Sequence, residues 1–508
     1  MTAATSAPTV EGSAPVGTDY DVVVVGGGIA GLSAALSARE NGATVALLER
    51  ATAEETGGNT RYTEAYLRMK TVDEPSDGLA ETLVDDFMGH PDPGITADSA
   101  LDWSRRSPLL RSHHVVDLDY VTTFEDNAGP TLRWLEQHGI RFGQLPTLFL
   151  TVSTTRMAPV GGGLALVETL GAKARALGVD FHFETTARSL VLDDSGTVTG
   201  IEAVGPTGRR RTFSGSVVLA SGGYQGNAEL MARYHGELGM LCRPVARGGN
   251  YNKGEGLEMA MAVGAATAGN FSLFHAEPVD PRSGDPEAAI MAFTYGILVN
   301  VHGERFVDEA RGPIDAWYER TTRDIQRQPR GMAWMILDAH GQAIPNIRTA
   351  IRTDEAPVKG ATLAELAGRI DIDPATLEAT VAAYNAGCPD GDWDPTRPDG
   401  LATDGVEPPK SNWAKPIDSG PFIAYPIMCA NVFTFGGLKV DASSRVVDRD
   451  GRAIPGLYAA GEMTGLYYSN YTGSTSVLRG ATFGRIAGEG AAAQSPSVAA
   501  PRDAEGSS

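Results

Sequence analysis

Residues 20–49 read YDVVVVGGGIAGLSAALSARENGATVALLE. The apolar run from Tyr20 to Val25 has the composition of a buried parallel strand. Three glycines follow, and the Ala- and Leu-rich stretch from Ala30 to Glu40 predicts a helix. A second apolar run over 43–49 completes a βαβ unit of roughly 30 residues. Inside it stands Gly26-x-Gly28-x-x-Gly31. The first glycine permits a tight turn, the second lets backbone approach a pyrophosphate, and the third lets helix pack on strand. The helix start at Ala30 would offer free N–H groups and a positive dipole end to phosphates. Glu49, with Arg50 after it, lies about twenty residues on, where a carboxylate accepts ribose hydroxyls. A purely structural glycine turn is the alternative, but strand, helix and acid all agree on a dinucleotide.

Outward from this unit, 79–137 reads as helices, with TLRWLEQHGI ending one of them at Gly139. LALVETLGAKARALG gives a further helix, and three short strands follow as a meander that runs into Ser221-Gly222-Gly223. EGLEMAMAVGA, over 255–265, predicts one more helix. Residues 272–432 differ: they are richer in Pro, Trp and Arg and read as an inserted α+β domain. After them the chain resumes its first pattern with GLYAAGEMTG and the helical GATFGRIAGEGAAA. The expected organisation is a disordered tail over 1–17, a nucleotide-binding domain over 18–271 plus 433–493, a cap over 272–432, and a second tail over 494–508.

The composition narrows the classes. Of 508 residues, 42% are hydrophobic and 21% charged, as in globular proteins with a large core. A net charge of -21 argues against nucleic acid and anionic membrane as partners. No apolar run reaches ~18 residues, so no membrane span is expected. The first 17 residues carry no basic side chain, unlike a signal peptide, and the expected location is the cytoplasm. Cys242, Cys388 and Cys429 are far apart in sequence and read as ordinary thiols. With no iron–sulfur or haem motif, electrons must pass to or from an unknown partner: a protein, a quinone, oxygen or a diffusible carrier.

The second glycine-bearing strand end, Ala459-Ala460-Gly461-Glu462, selects the dinucleotide. A chain returning there after some 430 residues suits FAD, whose ribityl and isoalloxazine parts need a second wall. No second complete GxGxxG supports a nicotinamide site.

Several segments together carry a family resemblance: DVVVVGGGIAGLSAA, GGNTRYTEAYLR, ASGGY, GERFVDE, FTFGGLKVD, IPGLYAAGEMTGLYYSNYTGSTSVLRG and TFGRIAG. The chain resembles the flavoprotein subunits of fumarate reductases and succinate dehydrogenases. Within them it is similar to the soluble branch containing tricarballylate dehydrogenase and, more distantly, to 3-ketosteroid Δ1-dehydrogenase. The resemblance implies a Rossmann-type α/β FAD-binding domain with a mobile cap and catalysis at their junction. Gly57-Gly58-Asn59-Thr60 would lie along the isoalloxazine edge, and Ala187 would contact adenine through its backbone. Glu255 falls where the family commonly has Asp, Glu462 would meet the ribityl chain, and Ser476-Val477 would face the flavin pyrimidine. Covalent attachment in the family uses a His near the GGNT segment. Residues 57–69 contain none, so FAD is expected to be non-covalent.

On the substrate side the resemblance implies hydride transfer at flavin N5 to or from a carbon beside a carbonyl or carboxylate, with a proton exchanged at the neighbouring carbon. His275 aligns with a substrate-contacting His. The family's proton-transfer Arg should follow Glu309 by four or five residues, but Pro313 and Ile314 stand there, leaving Arg311 as the nearest guanidinium. Two clamp residues, a His and an Arg, are replaced by Phe433 and Tyr471. Tyr471 instead matches a ketone-polarising Tyr of the ketosteroid branch, and Tyr295 is a candidate base. The expected activity is therefore dehydrogenation of CH–CH or reduction of C=C. A tricarballylate-like polycarboxylate is the first substrate and a larger cyclic ketone or secondary metabolite the alternative. An electron-transfer subunit or a non-catalytic flavin binder is the rival from another class.

Overall fold

A computed structural model describes residues 17–88, 101, 103–108, 117–145, 150–152 and 154–495. The expected tails lie outside these residues except for Gly17 and 494–495. Of the helices expected over 79–137, Leu79–Met88 and Leu118–Gln137 are described.

The nucleotide-binding pattern builds a parallel core in the spatial order Asp180–His182, Val45–Leu48, Gly17–Val25, Arg210–Leu219, Ala453–Ala459. Val22 to Val24 are fully buried because strands flank them on both sides and helices cover the sheet. Thr186–Leu192 and Val198–Val204 lead into Arg210–Leu219 as an antiparallel meander. The strand that follows the long insertion, Ala453–Ala459, pairs beside Arg210–Leu219, so the far ends of the sequence share one sheet.

Helix Ser476–Ala493 packs tightly along helix Ile29–Glu40. A Cβ on Gly484 would lie 2.3 Å from Ala30 O, and one on Gly488 2.1 Å from Ala34 O. Glycine at both places is thus a condition of the approach.

A second sheet runs antiparallel in the order Phe274–Val279, Phe422–Thr434, Met332–Leu337, Ile297–Asn300, with Val358–Gly360 pairing antiparallel and Cys242–Pro244 parallel to Phe422–Thr434. Alternation along these strands feeds two cores. Leu298, Met335 and Leu337 pack with Ile314 and Ile325 of helix Ile314–Gln326. Ile297, Val299 and Ile336 pack with Leu366, Leu377 and Val381 on the other face. Cys242 and Cys429, remote in sequence, are directly opposed across two strands of this sheet as free thiols, and burial pushes Cys242 up to about 12. Among the described residues no helix is long and apolar enough to cross a membrane.

Candidate active site

The two sheets meet at a cleft of about 1360 Å³, counting its space open to solvent. Its floor is the glycine turn. Gly26 adopts φ +104°, and a Cβ there would sit 2.4 Å from Ala220 O. Gly31 holds helix to strand: its Cβ would fall 1.9 Å from Gly26 O. Gly28 caps helix Ile29–Glu40 with no side-chain hydrogen bond, leaving the helix start presented to the cleft.

Apart from Gly31, every residue expected to contact the cofactor lines this cleft: Gly26, Gly28 and Ala30; Glu49 and Arg50; Gly57 to Thr60; Ala187, Ser221 and Gly222; Glu255; Gly461 and Glu462; Ser476 and Val477. The Glu49 carboxylate accepts from Gly27 N at 2.7 Å and Ala51 N at 2.8 Å, while burial raises its pKa. Arg50 pairs with Glu255, which Arg188 also approaches at 3.6 Å. The Thr60 hydroxyl accepts from Ile29 N at 3.1 Å, and Asn59 Nδ2 donates to Val432 O at 2.7 Å. The GGNT segment therefore ties the helix start to the second sheet. Glu462 accepts from Thr434 N at 2.9 Å and Asn252 Nδ2 at 3.1 Å, and burial lifts its carboxyl to about 7.

Beyond Phe433, a cleft-lining residue, lies an aromatic cluster. The His275 ring lies 4.4 Å from Tyr471 and 5.2 Å from Phe433 between centroids. His275 Nε2 is 2.6 Å from the Tyr318 hydroxyl, and its buried Nδ1 has no hydrogen-bond partner. Burial, reinforced by the Arg323 charge, lowers His275 to about 3, so the imidazole is neutral. The Tyr471 hydroxyl accepts from Thr475 N and Ser476 N and donates to Ser476 Oγ at 3.1 Å. It is held at the start of helix Ser476–Ala493.

Two expected catalytic residues are not brought here. Arg311 is part-exposed, faces Asp324 at 3.7 Å and lies over the Trp317 ring. Pro313, two residues beyond Arg311, caps the helix that starts at Ile314. Tyr295 is 5% exposed, packs on Trp413 and donates to Pro395 O at 2.8 Å, deep in the core of the second sheet. Neither residue lines the cleft in this structure.

Residues that sequence reasoning passed over fill the gap. Tyr318 lies inside an ordinary amphipathic helix and carries no motif. Arg479 is 2% exposed, lines the cleft and donates to Thr464 Oγ1 at 2.7 Å. Its guanidinium in an Ala- and Gly-rich helix was the one available signal. Glu287 also lines the cleft, at φ +50°.

A family model described as an FAD binding domain matches residues 21–478. The chain belongs to this FAD-binding family of fumarate-reductase-type flavoproteins. This flavoprotein is 29% identical to the NADH:acrylate oxidoreductase of Vibrio harveyi over 93% of its own length and 50% of the relative's. It thus spans half of that protein. It is 27% identical to the vinyl phenol reductase of Lactiplantibacillus plantarum over 93% of its length and 96% of the relative's. Its fold superposes on the open conformation of a flavocytochrome c3 fumarate reductase with a TM-score of 0.72, at 24% identity, covering 93% of this chain and 78% of that one. The flavoprotein's cofactor is FAD, and its cleft suits it. A Cβ on Gly27 would stand 2.7 Å from Thr56 Oγ1, so the backbone must be bare there. Asn59 Oδ1 is a buried acceptor on the wall with no partner in the protein.

Proposed function

We propose that this flavoprotein is an oxidoreductase that adds or removes hydrogen across a carbon–carbon bond beside a carbonyl or single carboxylate. The substrate is unsaturated or cyclic and presents an apolar face. Bound FAD supplies the hydride-accepting or hydride-donating chemistry, and the protein's side chains orient the substrate and handle the proton.

The observation that carries this reading is the aromatic cluster at the cleft-lining Phe433, with His275 and Tyr471 in ring contact with it and the imidazole neutral. Of the buried guanidiniums, Arg156 is matched to Asp315 at 2.9 Å, Arg323 to Glu319 and Arg305 to Glu309 at 2.7 Å, while Arg479 on the cleft wall is held by Thr464 Oγ1 and the Gly461 carbonyl and Arg68 by the Gly473 carbonyl. A polycarboxylate such as tricarballylate needs spare cations to offset its desolvation. An aryl-conjugated or cyclic enone, or an unsaturated monoacid, needs rings and one or two polar anchors. Among the relatives, the acrylate and vinyl phenol reductases lie on the same side and the fumarate reductases on the other. Attachment of FAD is non-covalent in this reading, because residues 57–69 hold no His.

The test is anaerobic. Holoprotein reduced with dithionite is mixed with aryl-conjugated acids, cyclic enones, acrylate, fumarate and aconitate. Reoxidation by the first groups, at least ten times faster than by fumarate or aconitate, is expected. Equal or faster reoxidation by the polycarboxylates would overturn the substrate class, and no reoxidation by any would leave a flavin binder without this activity. Acid precipitation should release the yellow chromophore into the supernatant.

A further inference from the structure

One buried charge on the cleft wall has no opposite charge beside it. Arg479 stands in the first turn of helix Ser476–Ala493, lines the cleft and is 2% exposed. Helical side chains lean toward the N-terminus of their own helix, and this one reaches back to the turn at Gly461. Its Nη1 donates to Gly461 O at 3.2 Å and to Thr464 Oγ1 at 2.7 Å, and both partners are neutral. Its Nε is sealed from solvent without a hydrogen-bond partner. The Tyr467 ring lies 5.5 Å from the guanidinium carbon, and burial holds that phenol well above its ordinary value, so it too is uncharged. Glu462, next in sequence to Gly461, is committed elsewhere, accepting from Thr434 N and Asn252 Nδ2. Among the described residues no carboxylate forms an ion pair with Arg479, and the acidic groups that act on it are phenols.

A guanidinium keeps its charge where a buried lysine would give up its proton. In a desolvated wall its field is weakly screened. The start of the same helix offers less, because Thr475 N and Ser476 N already donate to the Tyr471 hydroxyl. The permanent positive charge on this part of the wall is therefore that of Arg479. The ligand facing it changes charge in function. When bound FAD takes up two electrons and one proton, its ring system gains one negative charge. A fixed cation nearby lowers the free energy of that state and leaves the neutral oxidised state almost unaffected.

We propose that Arg479 is a fixed counter-charge for the reduced cofactor and holds the flavin's midpoint potential above that of free FAD. It acts through space along the cleft wall, since its own hydrogen bonds go to Gly461 and Thr464. The flavin is thereby easier to reduce by whatever donor the protein uses. The inference concerns the FAD site and does not depend on the substrate class proposed above.

Spectroelectrochemical titration of the holoprotein against a redox dye, with no substrate present, tests this. Arg479→Gln removes the charge and keeps an amide donor for Thr464 Oγ1, whereas Arg479→Lys keeps the charge. Arg479→Gln should weaken binding of reduced relative to oxidised FAD about 100-fold, a fall of about 60 mV for a two-electron couple. Arg479→Lys should stay within about threefold of wild type, or about 15 mV. A merely structural role would lower the affinity for both redox states alike and leave the potential in place. The proposal is overturned if Arg479→Gln keeps the wild-type potential, or if Arg479→Lys falls as far as Arg479→Gln. Should neither variant retain FAD, the wild-type protein decides: a potential at or below that of free FAD titrated in the same cell overturns the proposal, and one above it supports it. Failure of every substrate to reoxidise the flavin would sink the oxidoreductase reading and leave these titrations unaffected.

Discussion

The Tyr471 hydroxyl oxygen lies 3.1 Å from the backbone nitrogen of Ser476, so a phenol caps the helix whose first residues wall the flavin cleft. The same oxygen accepts from Thr475 N at 3.0 Å. Tyr471→Phe removes the acceptor for two backbone N–H groups without changing the ring. We expect a loss of about 1 kcal/mol, as for other helix N-caps, read as a lower urea midpoint. An unchanged midpoint would mean that water replaces the hydroxyl without cost.

Glu49 holds the glycine turn through Gly27 N and Ala51 N. Glu49→Ala leaves both donors without their charged acceptor, a loss of roughly 1.5–3 kcal/mol. FAD affinity of the apoprotein should fall about 10- to 100-fold, measured by quenching of flavin fluorescence on titration. Wild-type affinity in the variant would dissociate turn geometry from cofactor binding.

Arg311→Ala should leave the rate of flavin reoxidation within twofold of wild type, because the guanidinium sits over Trp317 outside the cleft. A loss of tenfold or more would restore Arg311 as the proton carrier.

Stability should depend on pH in an unusual direction. Burial lifts Glu277 and Glu319 to about 8 and Glu287 and Glu462 to about 7, from an ordinary value of 4.5. Across that interval the folded protein holds more protons than the unfolded chain, so its contribution is complete below about pH 4.5 and is lost as pH rises through 7 to 8. Apoprotein should therefore melt lower at pH 8 than at pH 6 by differential scanning fluorimetry. A rising melting temperature over this range would show that these carboxyls are ionised in the fold.

The parts of the site legible in the sequence are those where backbone geometry forbids alternatives. Gly26 and Gly31 admit no Cβ, and Glu49 stands at a fixed distance along a βαβ unit, so local pattern was sufficient. Phe433 and Tyr471 were legible as departures from a family pattern, although the Tyr471 hydroxyl faces its own helix. Tyr318 and Glu287 were not legible, because each is an ordinary residue on a helix or loop, and only packing of separate elements brings Tyr318 to His275 and Glu287 to the cleft. Arg311 and Tyr295 stand outside the cleft lining for the converse reason: proximity in sequence to a motif says little about direction once a helix start or a core intervenes.

Strand Phe422–Thr434 belongs to the second sheet over most of its length, yet its last residues line the cleft, where Asn59 and Gln225 both donate to Val432 O. One rigid element is thus shared between the wall that holds the cofactor and the scaffold that carries His275 and Tyr318. A tilt of that scaffold cannot occur without loading the Val432 junction. Substrate capture and the electronic state of the bound flavin are then joined at one lever, and by thermodynamic reciprocity a ligand shifts the flavin's potential by as much as its affinity differs between the two redox states.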